Sequence, residues 1–134
     1  MEFEVGQSAT ATKTITKEDV LEFAEVSGDR NPVHIDEEFA KKTKFGKCIA
    51  HGAILTALVS KIAGTQLPGP GSIVLSTSFS FQAPCFIGDT ITGKVTIKRY
   101  RKDKPLIFIS CEIQNQNNEV LMTGDAAIYF EKID

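Results

Sequence analysis

Asp29 and His34 lie in the stretch SGDRNPVHID, with Asn31 and Pro32 between them. A carboxylate and an imidazole flanking an Asn-Pro turn can share one proton or hold one water, which is the minimum kit for general acid–base chemistry. The chain has two histidines, His34 and His51, and both fall within residues 27–52. A plainer reading competes: Asp29 and Asn31 cap a turn, as Asx residues beside proline do routinely. His51 reads as a buried histidine that fixes its loop by hydrogen bonds, and Asn31 as a residue that shapes the turn or bonds Asp29. Asp29, His34, Asp36 and His51 can crowd one point, but their spacing matches no familiar ligand set, so no metal is expected.

These groups need elements to hold them. Residues 8–15, SATATKTI, alternate small or apolar residues with polar ones and suit a first strand. Thr16 stands as an N-cap, and Asp19 completes an approximate capping box. The helix that follows puts Val20, Leu21, Phe23 and Ala24 on one face. It ends near Ser27-Gly28, where glycine permits the reversal that aims Asp29 inward. Pro32 disfavours a helix at Asn31, so 29–34 is expected as a turn or irregular bridge. Asp36-Glu37-Glu38 favours a short second helix to about Lys42. The loop FGKCIA then delivers His51 and Gly52 to a third helix, 52–64, apolar on nearly every side and therefore expected to be buried. Lys61 marks its end or its exposed edge, and LPGPG at 67–71 stops it. Residues 72–83, 90–100, 106–113 and 120–130 read as strands, with turns at Gly88-Asp89, Lys102–Pro105 and Asn115–Asn118. Their short connections predict successive antiparallel hairpins. With the first strand, about five strands and one buried helix make an α+β pattern.

A chain of 134 residues suits one domain, 1–134, with a single core. Apolar content of 42% and charged content of 24% are those of a globular protein in water. A net charge of −2 argues against a nucleic-acid binder. The longest apolar stretch, Ala53 to Ala63, is interrupted by Thr56, Ser60 and Lys61 and falls short of the roughly 20 residues that cross a bilayer. Met1-Glu2-Phe3-Glu4 lacks the basic start and apolar run of a secretory leader. Cys48, Cys85 and Cys111 fit neither a disulfide framework nor a zinc site, and are expected as reduced, mostly buried thiols in a cytoplasmic protein.

GDRNPVHID, then EEFAKK, then FGKCIAHG resembles the signature of the MaoC-like (R)-specific enoyl-CoA hydratases. Asp29, Asn31, Pro32, His34, Asp36, Phe39, Ala50, His51 and Gly52 all fall on that pattern, and LPGPGSIVLSTSFSFQAPCFIGD resembles the strand and turn that come next. The resemblance implies a hot-dog fold, a long antiparallel sheet wrapped around the central helix, with the open sheet edge closed by a second copy in a homodimer or higher homo-oligomer. It implies that Asp29 and His34 hold one water over the double bond of a trans-2-enoyl-CoA, giving (R)-3-hydroxyacyl-CoA by syn addition. It implies no cofactor, coenzyme A being part of the substrate. Gly52, at the start of the third helix, is then the backbone N–H donor to the thioester oxygen; the alternative is that it only lets a helix begin in a crowded core. The acyl chain is expected between that helix and strand 72–83, with Ala57, Ser60 or Ala63 setting its length. Lys41, Lys42, Lys44 and Lys47, or Lys98, Arg99, Arg101, Lys102 and Lys104, are candidates to meet the coenzyme A phosphates, although charge runs are usually solvated faces. The same residues would serve a 3-hydroxyacyl-acyl-carrier-protein dehydratase. A hot-dog thioesterase needs a carboxylate on or beside the buried helix, and this helix has none. A non-catalytic hot-dog subunit would be expected to have lost Asp29 or His34.

Overall fold

In the computed structural model, nine elements run along residues 3–131, the residues described here. Met1, Glu2 and residues 132–134, the ends of the expected 1–134 domain, lie outside them. Strand β1 (Ser8–Thr14) leads to helix α1 (Lys17–Ser27). Thr16 and Asp19 form the expected box: the Asp19 N–H donates to Thr16 Oγ1 at 3.1 Å, and the Thr16 N–H donates to the Asp19 carboxylate at 2.9 Å. Val20 and Ala24 are buried, whereas Leu21 is 44% exposed and leaves the face assigned to it. Gly28 closes α1 in the left-handed region at φ 79°, its N–H on the Ala24 carbonyl.

The stretch expected to be irregular holds a helical turn, α2 (Pro32–Ile35), followed by α3 (Glu37–Ala40). Pro32 begins α2 because a first helical position needs no N–H donor and the proline ring presets φ. Asn31 caps it by accepting from the Val33 N–H, and Asp36 caps α3 by accepting from Glu38 and Phe39. The short second helix expected from Asp36 to about Lys42 therefore ends at Ala40.

Helix α4 (Gly52–Thr65) packs Ile54, Leu55, Leu58, Val59 and Ile62 into one core. Opposite stand Ile91, Val95 and Ile97 of β3 (Thr90–Tyr100), Ile107, Ile109 and Ile113 of β4 (Leu106–Gln114), and Leu121, Met122 and Ile128 of β5 (Val120–Tyr129). β3 as far as Ile97 and β4 along its length bury every second residue, as one covered face requires, whereas β5 buries the adjacent Leu121 and Met122. Truncating one such side chain to alanine typically costs about 2–5 kcal/mol, so this contact is a main source of stability. The helix is not buried on every side: Ala53, Ala57, Ser60 and Lys61 form an exposed face.

The sheet is antiparallel with strand order β1-β3-β4-β5-β2. This is the hot-dog arrangement. The expectation of successive hairpins fails at one point: β2 (Ile73–Phe81) does not pair with β3 but crosses to the far edge and pairs with β5. The β2–β3 link passes the start of α4, where the Ala50 N–H donates to the Cys85 carbonyl at 2.7 Å. No helix among the described residues is long and apolar enough to cross a membrane.

Candidate active site

Asp29 follows directly on the α1 cap. Its N–H donates to Ser27 Oγ at 3.0 Å, and its Oδ1 accepts from the Asn31 N–H at 3.2 Å. The turn-capping reading of Asp29 and Asn31 is thus correct, and it uses one carboxylate oxygen without excluding chemistry at the other. Asn31 shapes the turn through its own bond to Val33.

His34 projects from α2. Its Nδ1 lies 2.7 Å from the carbonyl oxygen of Ile49. A carbonyl can only accept, so Nδ1 carries the hydrogen and Nε2 keeps the lone pair. The loop supplying that carbonyl is tied on both sides: the Ile49 N–H donates to the Val33 carbonyl at 3.2 Å, and the Ala50 N–H to the Cys85 carbonyl at 2.7 Å. Burial holds the His34 imidazole below the ordinary histidine value, with His51 acting in the same direction; the Ile49 bond and the Asp29 charge oppose them. A neutral ring with a free Nε2 is a base ready to accept a proton.

His51 is the N-cap residue of α4 but bonds no helix N–H with its side chain. It is 2% exposed, and its Nε2 donates to the backbone carbonyl of Asp29 at 3.0 Å. The expectation of a loop-fixing histidine describes that bond. The His51 ring also stacks on His34, centroids 4.0 Å apart and planes 30° apart. Ligand atoms of Asp29, His34 and His51 all lie within 4.8 Å of one another. Near-parallel stacked rings send their lone pairs side by side rather than to one point, and two of the nitrogens already donate to carbonyls. One hydrogen bond, from His51 to the Asp29 carbonyl, and one ring stack, of His51 on His34, join the three residues.

A cleft of about 530 Å³ opens beside these groups, lined by His34 and Gly52 together with Leu55, Phe81 and Pro84, and bordered by Lys44 and Phe45. Gly52 starts α4, where first-turn N–H groups have no partner within the helix and the helix dipole favours negative charge. A Cβ on Gly52 would stand 2.9 Å from Cε1 of Phe81. A side chain there would have to displace the Phe81 ring, so the crowded-core alternative has its own observation. Phe81 is a site residue that sequence reasoning missed; its place in the alternation Phe79, Phe81 gave the signal. Of the basic candidates, Lys44 is the one that lines this cleft. Lys41 pairs with Glu38, Lys98 with Asp125 and Arg101 with Asp103, while Arg99 lies over Phe108.

A second cavity, of about 270 Å³, lies further along α4 against β2, lined by Thr56, Val59, Ser60, Ala63, Val74 and Phe79 among others. Ser60 and Ala63 thus face the space expected for an acyl chain. Ala57 lines neither cavity.

The chain matches the family described as MaoC like domain over residues 2–114. An (R)-specific enoyl-CoA hydratase of Aeromonas caviae is 42% identical over 125 residues, 93% of this chain and 93% of that protein. A 3-hydroxybutyryl-CoA dehydratase of Methylorubrum extorquens is 38% identical over 131 residues, 98% of this chain and 83% of that protein. Among solved structures, an (R)-hydratase from A. caviae involved in PHA biosynthesis superposes with a TM-score of 0.92 at 40% identity, covering 96% of this chain and 98% of that one.

Proposed function

The chain belongs to the MaoC-like domain family, and from that membership and the site geometry we propose that it is an (R)-specific 2-enoyl-CoA hydratase. The observation that carries the proposal is one cleft lined by both a neutral, Nε2-bare His34 and the Gly52 helix start, with the Asp29 carboxylate beside them. A hydratase needs a base for water, a proton for the α-carbon and a sink for negative charge on the thioester oxygen. His34 Nε2 takes a proton from the water as its OH bonds to the β-carbon. The imidazolium formed, tied by Nδ1 to the Ile49 carbonyl and next to the Asp29 carboxylate, returns that proton to the α-carbon. Atoms balance without any other reactant, and both new bonds form on one face. Gly52 N–H receives the enolate oxygen meanwhile. General acid–base assistance of this kind contributes about 10²–10⁴-fold. Lys44 at the rim is placed to meet a phosphate of coenzyme A, and the cavity beside Ser60 and Ala63 takes the acyl chain.

The working form is a homodimer. In the single chain β2 is an edge strand whose apolar residues stand open, Ile73 at 57% and Leu75 at 56% exposure. The exposed face of α4 lies open as well. An apolar edge strand of this kind needs covering, and pairing of β2 with its copy across a two-fold axis covers it. Three buried, unpaired thiols suit a reducing cytoplasm, and the product suits polyester or β-oxidation-linked metabolism.

Incubation with crotonyl-CoA tests the activity. Enoyl absorbance should fall while free thiol stays constant, and chiral analysis should give (R)-3-hydroxybutyryl-CoA. Release of thiol in step with the absorbance would instead mean hydrolysis, and mainly (S)-product would overturn the geometry.

A further inference from the structure

His51 has no task in the proposed mechanism, yet its surroundings exceed what loop fixing requires. Its Nε2–H reaches the Asp29 carbonyl at 3.0 Å, and its ring stacks on His34 at 4.0 Å. The Phe23 ring leans on it at 4.7 Å with planes 55° apart. Its Nδ1 is buried without a hydrogen-bond partner among the described residues. A phenyl ring would fill the same space without an unpaired Nδ1, so packing alone does not account for an imidazole here.

From these contacts we infer that His51 is a positioning residue that holds Asp29, His34 and Gly52 in one register. The inference rests on the hydratase reading. The three parts of the site come from different places: Asp29 from the end of α1, His34 from α2, Gly52 from the start of α4. His51 bonds the first through Nε2, covers the second with its ring face, and is joined to the third by a peptide bond. The Nε2 bond sets the Asp29 backbone and hence the origin of its carboxylate. Stacking restrains rotation of the His34 ring, keeping Nδ1 on the Ile49 carbonyl and Nε2 free to act as the base. Phe23 restrains His51 in turn, so the α1 helix is the anchor of the set.

Two variants separate the contacts. His51→Phe keeps a stacking ring and removes the Nε2 donor; His51→Gln keeps an amide N–H in reach of Asp29 and removes the ring. With crotonyl-CoA, His51→Phe should lower kcat about tenfold or more while KM stays within about twofold, because misplacement of reacting groups acts on the chemical step. His51→Gln should recover part of that loss. In an Asp29→Asn background the His51→Phe change should cost less than about twofold, since the lost Nε2 bond acts by placing the Asp29 carboxylate. Wild-type kcat in His51→Phe, or an equal loss in both backgrounds, would overturn the inference. A readout independent of turnover is the nitrogen NMR spectrum of His34. It should show one tautomer, protonated at Nδ1, in the wild type, and averaged nitrogens in His51→Gln, which also serves if His51→Phe does not fold. A single His34 tautomer retained in His51→Gln would overturn the inference whether or not crotonyl-CoA is hydrated. A wild-type protein that leaves crotonyl-CoA untouched would instead end the hydratase reading, with the tautomer measurement still deciding the role of His51.

Discussion

In the mechanism proposed, His34 and the Asp29 carboxylate beside its imidazolium serve one proton transfer, so their losses should not multiply. Asp29→Asn preserves shape and hydrogen bonding while removing the charge, and His34→Gln removes the imidazole. Each should lower kcat by about 10²-fold or more with the fold intact, and the double variant should be little worse than the weaker single one. Steady-state rates with crotonyl-CoA, checked against circular dichroism, measure this; a His34→Gln protein at half activity would end the assignment. The pH profile belongs to the same scale. The active form of His34 is the unprotonated one, and burial, first among the influences on it, holds its titration below the ordinary histidine value of about 6.5. Activity should therefore persist as pH falls through 6.5 and fail only below it. In Asp29→Asn the residual activity should persist to still lower pH, because the Asp29 charge is one of the influences raising His34. An acid limb of kcat/KM centred above 6.5 would contradict the buried, neutral imidazole.

At the scale of elements, α1 carries the Phe23 that backs His51 and leads through Gly28 into Asp29, so its start matters to the site at its end. Thr16→Ala removes the side-chain acceptor for the Asp19 N–H and should cost about 1 kcal/mol of stability, read from denaturant midpoints. The reciprocal bond from the Thr16 N–H, first among several influences, holds the Asp19 carboxyl below its ordinary value. A carboxylate depressed on folding stabilises above its unfolded value of about 3.9, and that stability is lost as pH falls through the folded value. Asp19→Asn should thus lower Tm at pH 7 and matter less in acid; a difference that grows on acidification would contradict the capping box. Further along, α4 and β2 enclose the cavity beside Ser60 and Ala63. Ala63→Leu should fill it, and the ratio of kcat/KM for a medium-chain enoyl-CoA to that for crotonyl-CoA should fall about tenfold or more, the effect of a few methylenes in an apolar pocket. An unchanged ratio would place the acyl chain elsewhere.

The whole molecule is organised about an open edge. A lone sheet ending in β2 leaves unpaired backbone and apolar side chains in water, and one further copy removes both. Light scattering should give a mass at or above twice the 14.6 kDa of the chain. Leu75→Lys places a charge on the exposed edge strand and should shift the population toward monomer, with activity falling in parallel because Phe81 of the same strand lines the cleft. A monomer with full activity would show that the edge has another role.

Much of this protein is legible in the order of its residues. The α1 cap and the Gly28 reversal depend on neighbours within a few positions, and such short-range bonds are set by residue type and spacing. The strands follow from alternation, and GDRNPVHID with FGKCIAHG carried the family resemblance and the site residues it implies. Pro32 keeps Asn31 out of the helix, as expected, but the same ring opens the helical turn that follows, capped by Asn31. Tertiary structure decided the rest. Only the packed fold sends β2 past β3 to pair with β5, since nothing in the composition of β2 distinguishes the two partners. Only there does Phe81 meet Gly52, and only there does His51 bond Asp29 and stack on His34. Those contacts join segments distant in the chain, and their geometry depends on how the sheet closes over the helix, which no local pattern of residues encodes.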